Sequence, residues 1–437
     1  MESTQSFIAN VEVLNEKLRR ESWYNTFFAK FSGNVDISKD DNGNPSYKPS
    51  GKPIEILNQF IQQGRDNMLI PFLKQLTGSP VMGDTVLKGT GEDQSMNWLR
   101  SYVNQYRKAV MKKSGSMSEQ RQKVFKLYNE AQPQLSEWVS KWENQSIFQT
   151  FYEGCSPNLS YGTNSDGLGL AKRFHPNWYS QTADGTLTTL GTEKYLKTYA
   201  NVAEQVHGGS GNEATHRMGT TTLRSLRTKC MELKIPQIVT KSGYRFWAIV
   251  MHPLSIQNLW AVTAFQNAQR EAWSTKMLDS PELNGAVAHY AGFCIYEDIV
   301  GIREFSTGVG TDGDTGTFFG TSTDDRFAAS SIGSTSRIFN SIVFGNSAIG
   351  KGVAEALHFT DEVDDHKNTI EIGAATINGY NRADYVAEGV AGASSGVGSS
   401  DVFSTGNAAA INQNNAIACI NESSLILATD EAGTAAT

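Results

Sequence analysis

Several features that would announce an enzyme or a secreted protein are missing from this chain. Cysteine is rare: Cys155, Cys230, Cys294 and Cys419 stand far apart in 437 residues, and no two form a CxxC pair. Zinc-ribbon and thioredoxin-like readings therefore fail, and the isolated thiols fit a reducing cytosol. The seven histidines never fall into H-E-x-x-H or a comparable ligand spacing. Long apolar runs are absent too. The longest, residues 246–251, is far short of a membrane span, and the opening MESTQSFIANVEVLNEKLRRES lacks the continuous apolar core of a signal peptide. Proline is scarce (11), and no basic excess exists: the formal net charge is −7. A protein devoted to gripping nucleic acid carries a basic face, because neutralising phosphates releases counterions. The chain is thus expected in a cytoplasm-like compartment, away from membranes, with weak or incidental contact to nucleic acid.

What is present suits a large globular protein. The length allows two or three domains with sizeable cores, and 40 glycines with 10% aromatics imply many turns and much buried ring surface. Ile8, Val11, Val13, Leu14 and Leu18 recur near helical spacing, followed by an aromatic cluster at Trp23, Tyr24, Phe27, Phe28 and Phe31. Residues 32–53, rich in Gly, Asn, Asp and Pro, read as a linker or extended loop able to lie on a neighbouring subunit. Residues 68–76 have strand character with Pro71 at an exposed edge. Gly83, Gly89 and Gly91 then mark positions of positive φ. Residues 98–110 fit either a helix striped by Trp98, Tyr102, Tyr106 and Ala109 or the return strand of a hairpin, and the hairpin is favoured.

The clearest local signal spans residues 116–153. Ser116 and Glu119 form an S-x-x-E capping box. Val124, Leu127, Tyr128, Ala131, Leu135, Trp138, Val139 and Trp142 then keep one helical face. Pro133 lies inside this pattern and should kink the helix or split it. Such length, against about 11–12 residues in an average helix, implies an elongated molecule. Beyond it, strands are expected at residues 244–251, 292–305, 341–344 and 424–428. Helices are expected at 254–269 and 353–359. Two further strands are expected within 369–385, broken by a hairpin at Asn378-Gly379. Residues 307–333 and 389–415 read as loops, and no internal repeat appears.

Motifs that carry chemistry are incomplete. GNSAIGKG, from Gly345 to Gly352, reads as a strand–turn–helix with P-loop glycines and Lys351 placed to reach phosphates. Yet Gly352 stands where Ser or Thr should bind Mg²⁺. The Walker-B-like LILATDE (Leu425 to Glu431) lies at the C-terminal end, where a central catalytic strand is not expected. GVGTDG from Gly308 matches G-x-G-x-x-G by letters but opens no helix. Asp312 and Asp314 lack the remaining carboxylates of a calcium loop. Asp361, Glu362, Asp364, Asp365 and His366 read better as a solvated acidic turn than as a metal site. HGGSG at His207 resembles a hydrolase oxyanion loop without any nucleophile elbow. No catalytic, cofactor or metal constellation is assigned.

One charge feature stands out. Residues 100–126 hold Arg100, Arg107, Lys108, Lys112, Lys113, Arg121, Lys123 and Lys126 against Glu119 alone. Interleaved with Trp98, Tyr102 and Tyr106, they fit a single-strand nucleic-acid surface or a basic strip facing acidic partners in an assembly. In so acidic a chain the second is favoured.

The order of these features, an arm, a Gly-punctuated hairpin, one very long helix and an interwoven α/β region, resembles the HK97-fold major capsid proteins of tailed phages (Caudoviricetes). The residues look most like the family typified by the coliphage N-four capsid protein. The likeness rests on GRDNMLIPF from Gly64, Val81-Met82-Gly83-Asp84, Leu87-Lys88-Gly89 and Glu92-Asp93. It continues through residues 107–110, SEQR from Ser118, LSEW from Leu135 and FYEG from Phe151. Further matches are the strand ending in His252-Pro253, then Asn258-Leu259, residues 344–348, Asp364-Asp365 and Ile377-Asn378-Gly379.

This resemblance implies an α+β fold of five parts. They are an N-terminal arm (1–53), an extended E-loop hairpin (54–115), a P-domain with its spine helix (116–200), A-domain with P-domain elements (201–368), and a return to the P-domain with a C-terminal segment (369–437). It implies a structural, self-assembling virion protein, made in the host cytoplasm and forming hexamers and pentamers of an icosahedral shell. That shell encloses double-stranded DNA without sequence-specific binding. Scaffold, portal and, in some shells, decoration proteins are the implied partners. Assembly contacts are expected at Pro80, Gly83, Asp84, Gly89, Arg107, Lys108, Arg121 and Trp138. No Lys–Asn pair is singled out for crosslinking. The competing readings are a P-loop nucleotide enzyme and a tail protein of the same virion.

Overall fold

The structure, a computed structural model, describes residues 27–39, 45–58, 67–73, 80–83, 88–89, 96–111, 127–156, 178–181, 187–189, 217–240, 243–272, 285–299, 301–302, 304–306, 336–364, 369–382 and 418–427. Two sheets organise them. The smaller sheet orders β1 (Ser32–Asn34), β4 (Ile54–Leu57), β17 (Ile349–Asp364), β18 (Thr369–Arg382) and β7 (Asn104–Met111), with β8 (Cys155–Ser156) also pairing β18. Its axis is the long antiparallel β17–β18 ladder, running from Ile349↔Arg382 to Asp364↔Thr369.

The larger, nine-stranded sheet has β16 (Ser336–Phe344) near its middle. On one side follow β19 (Cys419–Leu427), β9 (Trp178–Gln181) and β10 (Leu187–Thr189). On the other are β12 (Arg245–Met251), β14 (Phe293–Glu297) and β13 (Ala288–Tyr290). The short strands β11 (Ile238–Val239) and β15 (Glu304–Ser306) pair with β12 and β16. Two hairpins stand apart as two-stranded sheets: β2 (Asp36–Lys39) with β3 (Pro45–Lys48), and β5 (Asn67–Leu73) with β6 (Met96–Tyr102).

The period-2 alternation of strands decides what covers each face of the larger sheet. On one face Ala248, Val250, Tyr296, Ile342 and Phe344 meet the end of helix α1 (Leu127–Glu153) and the short 3₁₀ turn Phe27–Phe31. Phe28 and Phe31, both fully buried, touch Phe148, Phe151, Phe344 and Tyr296 with ring centroids 5.0–6.1 Å apart. The other face lies under α2 (Thr220–Glu232), α3 (Pro253–Trp260) and α4 (Thr263–Ala272). There Trp247 Nε1 donates to the Ile235 carbonyl at 3.1 Å, and Phe265 packs on Tyr290 at 5.5 Å. The 3₁₀ turn thus wedges the chain's early aromatics into the main core.

Helix α1 belongs to both halves. Leu135 and Val139 pack with Leu357, Phe359, Ile372 and Ala374 of the smaller sheet, whereas Ile147, Phe148, Phe151 and Tyr152 enter the main core. The face read from the sequence is buried at Leu135, Val139 and Trp142, a second buried stripe follows it at residues 147–152, and Ser136, Ser140, Ser146 and Thr150 are buried along with them. The helix also runs as one element through Pro133, so the split allowed at that proline does not occur. Its expected start at Ser116 and Glu119 lies outside the described residues.

Four expectations need correction. Residues 353–359 are not a helix: they lie inside β17, where Val353 is paired with Asn378 and Phe359 with Ala374. Asn378-Gly379 is not a hairpin turn but the interior of β18, because β17 supplies a pairing partner along the whole run, and tertiary pairing overrides turn propensity. LILATDE begins on β19, an inner strand of the nine-stranded sheet, not on a peripheral one. Residues 32–53, read as a linker, contain three strands, the first pairing parallel with β4. The β5–β6 hairpin does form, with Pro71 opposite Trp98. Its two-stranded sheet leaves each strand one unpaired edge, the setting in which a proline is tolerated within a strand.

Candidate functional site

The residues expected to make assembly contacts fall into two places. Pro80, Gly83 and Gly89 belong to the segment between β5 and β6, where all three are exposed. Gly83 (φ +69°) and Gly89 (φ +91°) adopt the left-handed conformation expected of them. Met82 beside them is 79% exposed. Arg107 and Lys108 lie on β7, an outermost strand of the smaller sheet, and both are exposed. Trp138 is half-buried on α1, near-parallel to Trp142 at 6.4 Å, and Trp142 in turn meets Tyr106 of β7 at 4.1 Å. Tyr106 and Trp142 thereby fix the edge strand to the helix; alternation sets Lys108 on the same face as Tyr106 and Arg107 on the opposite one. Asp84 and Arg121 lie outside the described residues.

Beneath that region is a buried polar arrangement that sequence reasoning missed. Lys351 Nζ donates to Glu143 Oε1 at 2.9 Å, with both side chains under a tenth exposed. The same ammonium lies 5.3 Å from the ring centre of Tyr380. Burial together with Glu143 pushes the Tyr380 phenol well above its ordinary range. Close by, the fully buried Arg382 donates from Nη1 to the carbonyl of Phe151 at 2.5 Å. Its backbone N–H reaches the Gly154 carbonyl at 2.9 Å. Phe151 is in the last turn of α1 and Gly154 just past it (φ +86°), so Arg382 supplies donors and positive charge where helix carbonyls lack partners. These pairs lock α1 onto β17 and β18. No sequence signal joins residues more than 200 positions apart.

This geometry removes the P-loop. Gly345 to Gly352 runs strand–turn–strand, so no helix N-terminus faces a phosphate. Lys351 points into the core and is held by Glu143. Gly345 serves close packing: a Cβ there would sit 2.1 Å from the Pro236 carbonyl oxygen.

Asp361, Glu362 and Asp364 lie on β17, and no metal-binding cluster of acids, histidines or cysteines occurs among the described residues. The glycine motif at Gly308, Asp312 and Asp314, His207, and Asp365 with His366 lie outside them. Cys230, Cys294 and Cys419 are buried and none is disulfide-bonded. Burial pushes the Cys294 thiol up to about 12 and raises Cys230 further still. Both are therefore poor nucleophiles. No helix among the described residues is long and apolar enough to cross a membrane.

Comparison with known proteins agrees with this architecture. A family model described as phage capsid protein matches residues 48–405. No curated protein matches. Among solved structures, the capsid of Ralstonia phage GP4 superposes with a TM-score of 0.58 at 12% identity, over 91% of this chain and 90% of that one. The acid-stable capsid of Helicobacter pylori bacteriophage KHP30 gives 0.54 at 14% identity, over 92% of each chain. That of phage KHP40 gives 0.54 at 11%, over 92% and 90%. At these identities the likeness is one of fold, an HK97-like α+β fold with mixed helix and sheet. With the family match covering most of its length, the chain belongs to the phage capsid protein family.

Proposed function

We propose that this chain is the major capsid subunit of an N-four-like tailed phage, working as structural material and not as an enzyme. The observation that carries this reading is the helix α1, shared between two sheets, beside an extended hairpin and an exposed edge strand. Such a molecule offers neighbours a long helix-backed frame and projecting contacts that a compact ball lacks. Many modest contacts of this kind, repeated around a closed shell, add up by multivalency.

On this reading α1 with the smaller sheet is the P-domain, the larger sheet with α2–α4 the A-domain, and β5–β6 the E-loop. Pro80, Gly83, Asp84 and Gly89 shape the loop tip. Arg107 and Lys108, on opposite faces of the exposed edge strand, offer basic charge with Arg121 to acidic surfaces of a second copy, and Trp138 of α1 lies on the Lys108 side. Scaffold and portal are the expected partners during assembly in the host cytoplasm. Purified protein, alone or with a co-expressed scaffold, should form capsomers or large particles in negative-stain images. A stable monomer under every assembly condition refutes the proposal.

A further inference from the structure

The two central strands of the nine-stranded sheet carry polar side chains where the surrounding core is apolar. Asn340 and Ser341 of β16 and Asn421 and Glu422 of β19 are all fully buried. The antiparallel register sets Ser341 directly opposite Glu422. Alternation sends Ser341, Glu422 and Ser424 to the face beneath α3. There Ser424 Oγ meets Ser255 Oγ at 3.4 Å, and the His252 ring stacks flat on Phe339 at 3.9 Å. Among the described residues, neither carboxylate oxygen of Glu422 has a formed hydrogen bond, nor has the Ser341 hydroxyl or either amide atom of Asn421. Native cores rarely leave buried polar atoms so, and a run of them on paired strands calls for a physical reason.

For Glu422 the reason is a proton. Removing a bare carboxylate from water without a partner is so costly that the group neutralises instead. Burial pushes its pKa up to about 8, and the nearby Ser341 hydroxyl, short of bonding geometry, pulls it back by less. The titratable groups described on this side do not offset the burial. Tyr179, paired with Glu422 across β9, is itself pushed up to about 12 by burial and by Glu232 and Cys230. His252 is stacked on Phe339, its Nδ1 accepting from the Leu254 N–H. Ser255 and Asn258 of α3 carry no charge.

We propose that Glu422 is a proton-controlled lock at the centre of the nine-stranded sheet. Protonated, it lets β16 and β19 close beneath α3; ionised, it draws water into the seam and loosens the sheet. The sign follows from linkage. A carboxyl raised from 4.5 to about 8 on folding contributes stability that is complete below pH 4.5 and is lost as pH rises through about 8. Between pH 6 and pH 8 this group alone should raise the unfolding constant on the order of 50-fold. Through this group, a shell built from the chain would weaken on the alkaline side.

The test compares urea unfolding of unassembled full-length protein at pH 6, 7 and 8 with that of Glu422→Gln, so it does not depend on the shell reading. The wild type should show that extra destabilisation at pH 8, and the Gln variant should not. Equal pH slopes in the two proteins overturn the proposal. Should Glu422→Gln not fold, infrared titration of the wild type decides. A carboxylic-acid carbonyl band present at pH 7 and lost by pH 9 supports the lock, and no such band at pH 7 overturns it.

Discussion

The Lys351–Glu143 pair allows a quantitative test of how α1 is held. Each side chain is under a tenth exposed, so removing one partner leaves the other charge in the core with little water to compensate. After Glu143→Ala, the ammonium of Lys351 loses its buried carboxylate while the Tyr380 ring stays 5.3 Å away. Breaking a buried pair in this way costs about 3–5 kcal/mol, whereas replacing both partners with apolar residues of similar volume is often neutral. Glu143→Ala and Lys351→Ala should therefore each destabilise by about 3–5 kcal/mol, and the Glu143→Met/Lys351→Met double variant by under about 1 kcal/mol.

For 437 residues the unfolding entropy is about 0.9 kcal/mol/K. Each single variant should then melt about 3–5 °C lower by calorimetry if the chain unfolds as a unit. Single variants within about 1 kcal/mol of wild type, or a double variant as unstable as the sum of the singles, would refute the reasoning.

Three further outcomes follow from the geometry. Arg382→Met removes the guanidinium donors at the end of α1, leaving the backbone N–H, and should cost about 1.5–3 kcal/mol in urea unfolding, the range for hydrogen bonds to charged groups; no change would deny the cap. Gly345→Ala forces a methyl group against the Pro236 carbonyl and should cost about 1–3 kcal/mol, while nucleotide binding stays absent in wild type and variant alike. Arg107→Glu with Lys108→Glu, both on the exposed edge strand, should leave monomer stability within about 0.5 kcal/mol. The same change should abolish or greatly slow particle growth followed by light scattering. Unaltered assembly would remove the basic strip from the contact set.

What could be read from the sequence divides by range of interaction. The long helix, the strand into His252-Pro253 and the positive φ at Gly83 and Gly89 each rest on neighbours a few residues away and are legible, whereas the hairpin expected through residues 98–110 is legible only up to Tyr102, since Asn104–Met111 leaves it to pair with β18. The misreadings share a cause. Residues 353–359 have helical spacing in isolation, and Asn378-Gly379 has the letters of a turn. Both instead lie in a ladder formed by strands whose pairing no local pattern announces. The same holds for Lys351. Its glycine-rich surroundings invite a phosphate, and only the fold reveals Glu143 across the core. Glu422 was passed over because a glutamate between serines and asparagine reads as a surface residue, although the strand beneath α3 buries it completely. The exposed candidates, Arg107 and Lys108, could be located from sequence because charge clustering needs no tertiary partner to be seen.

The placement of Glu143 bears on how a subunit of this kind can change shape without unfolding. The helix gives Leu135 and Val139 to one core and Ile147, Phe148 and Phe151 to the other, so Glu143 lies at the handover between them. Apolar contacts such as these tolerate a small slide or rotation, since dispersion and burial have little directional preference. A buried ion pair does not: its strength depends on a 2.9 Å contact, and an offset leaves two charges unpaired. Glu143–Lys351 therefore fixes the register of α1 on β17, and Arg382 fixes its far end. Between these pins the helix is one rigid strut, so a change in the angle between the two sheets must be taken up outside residues 143–151. Among the described residues, the places left are the helix's own first turns around Pro133, where one backbone hydrogen bond is already missing, and the strands that leave the cores.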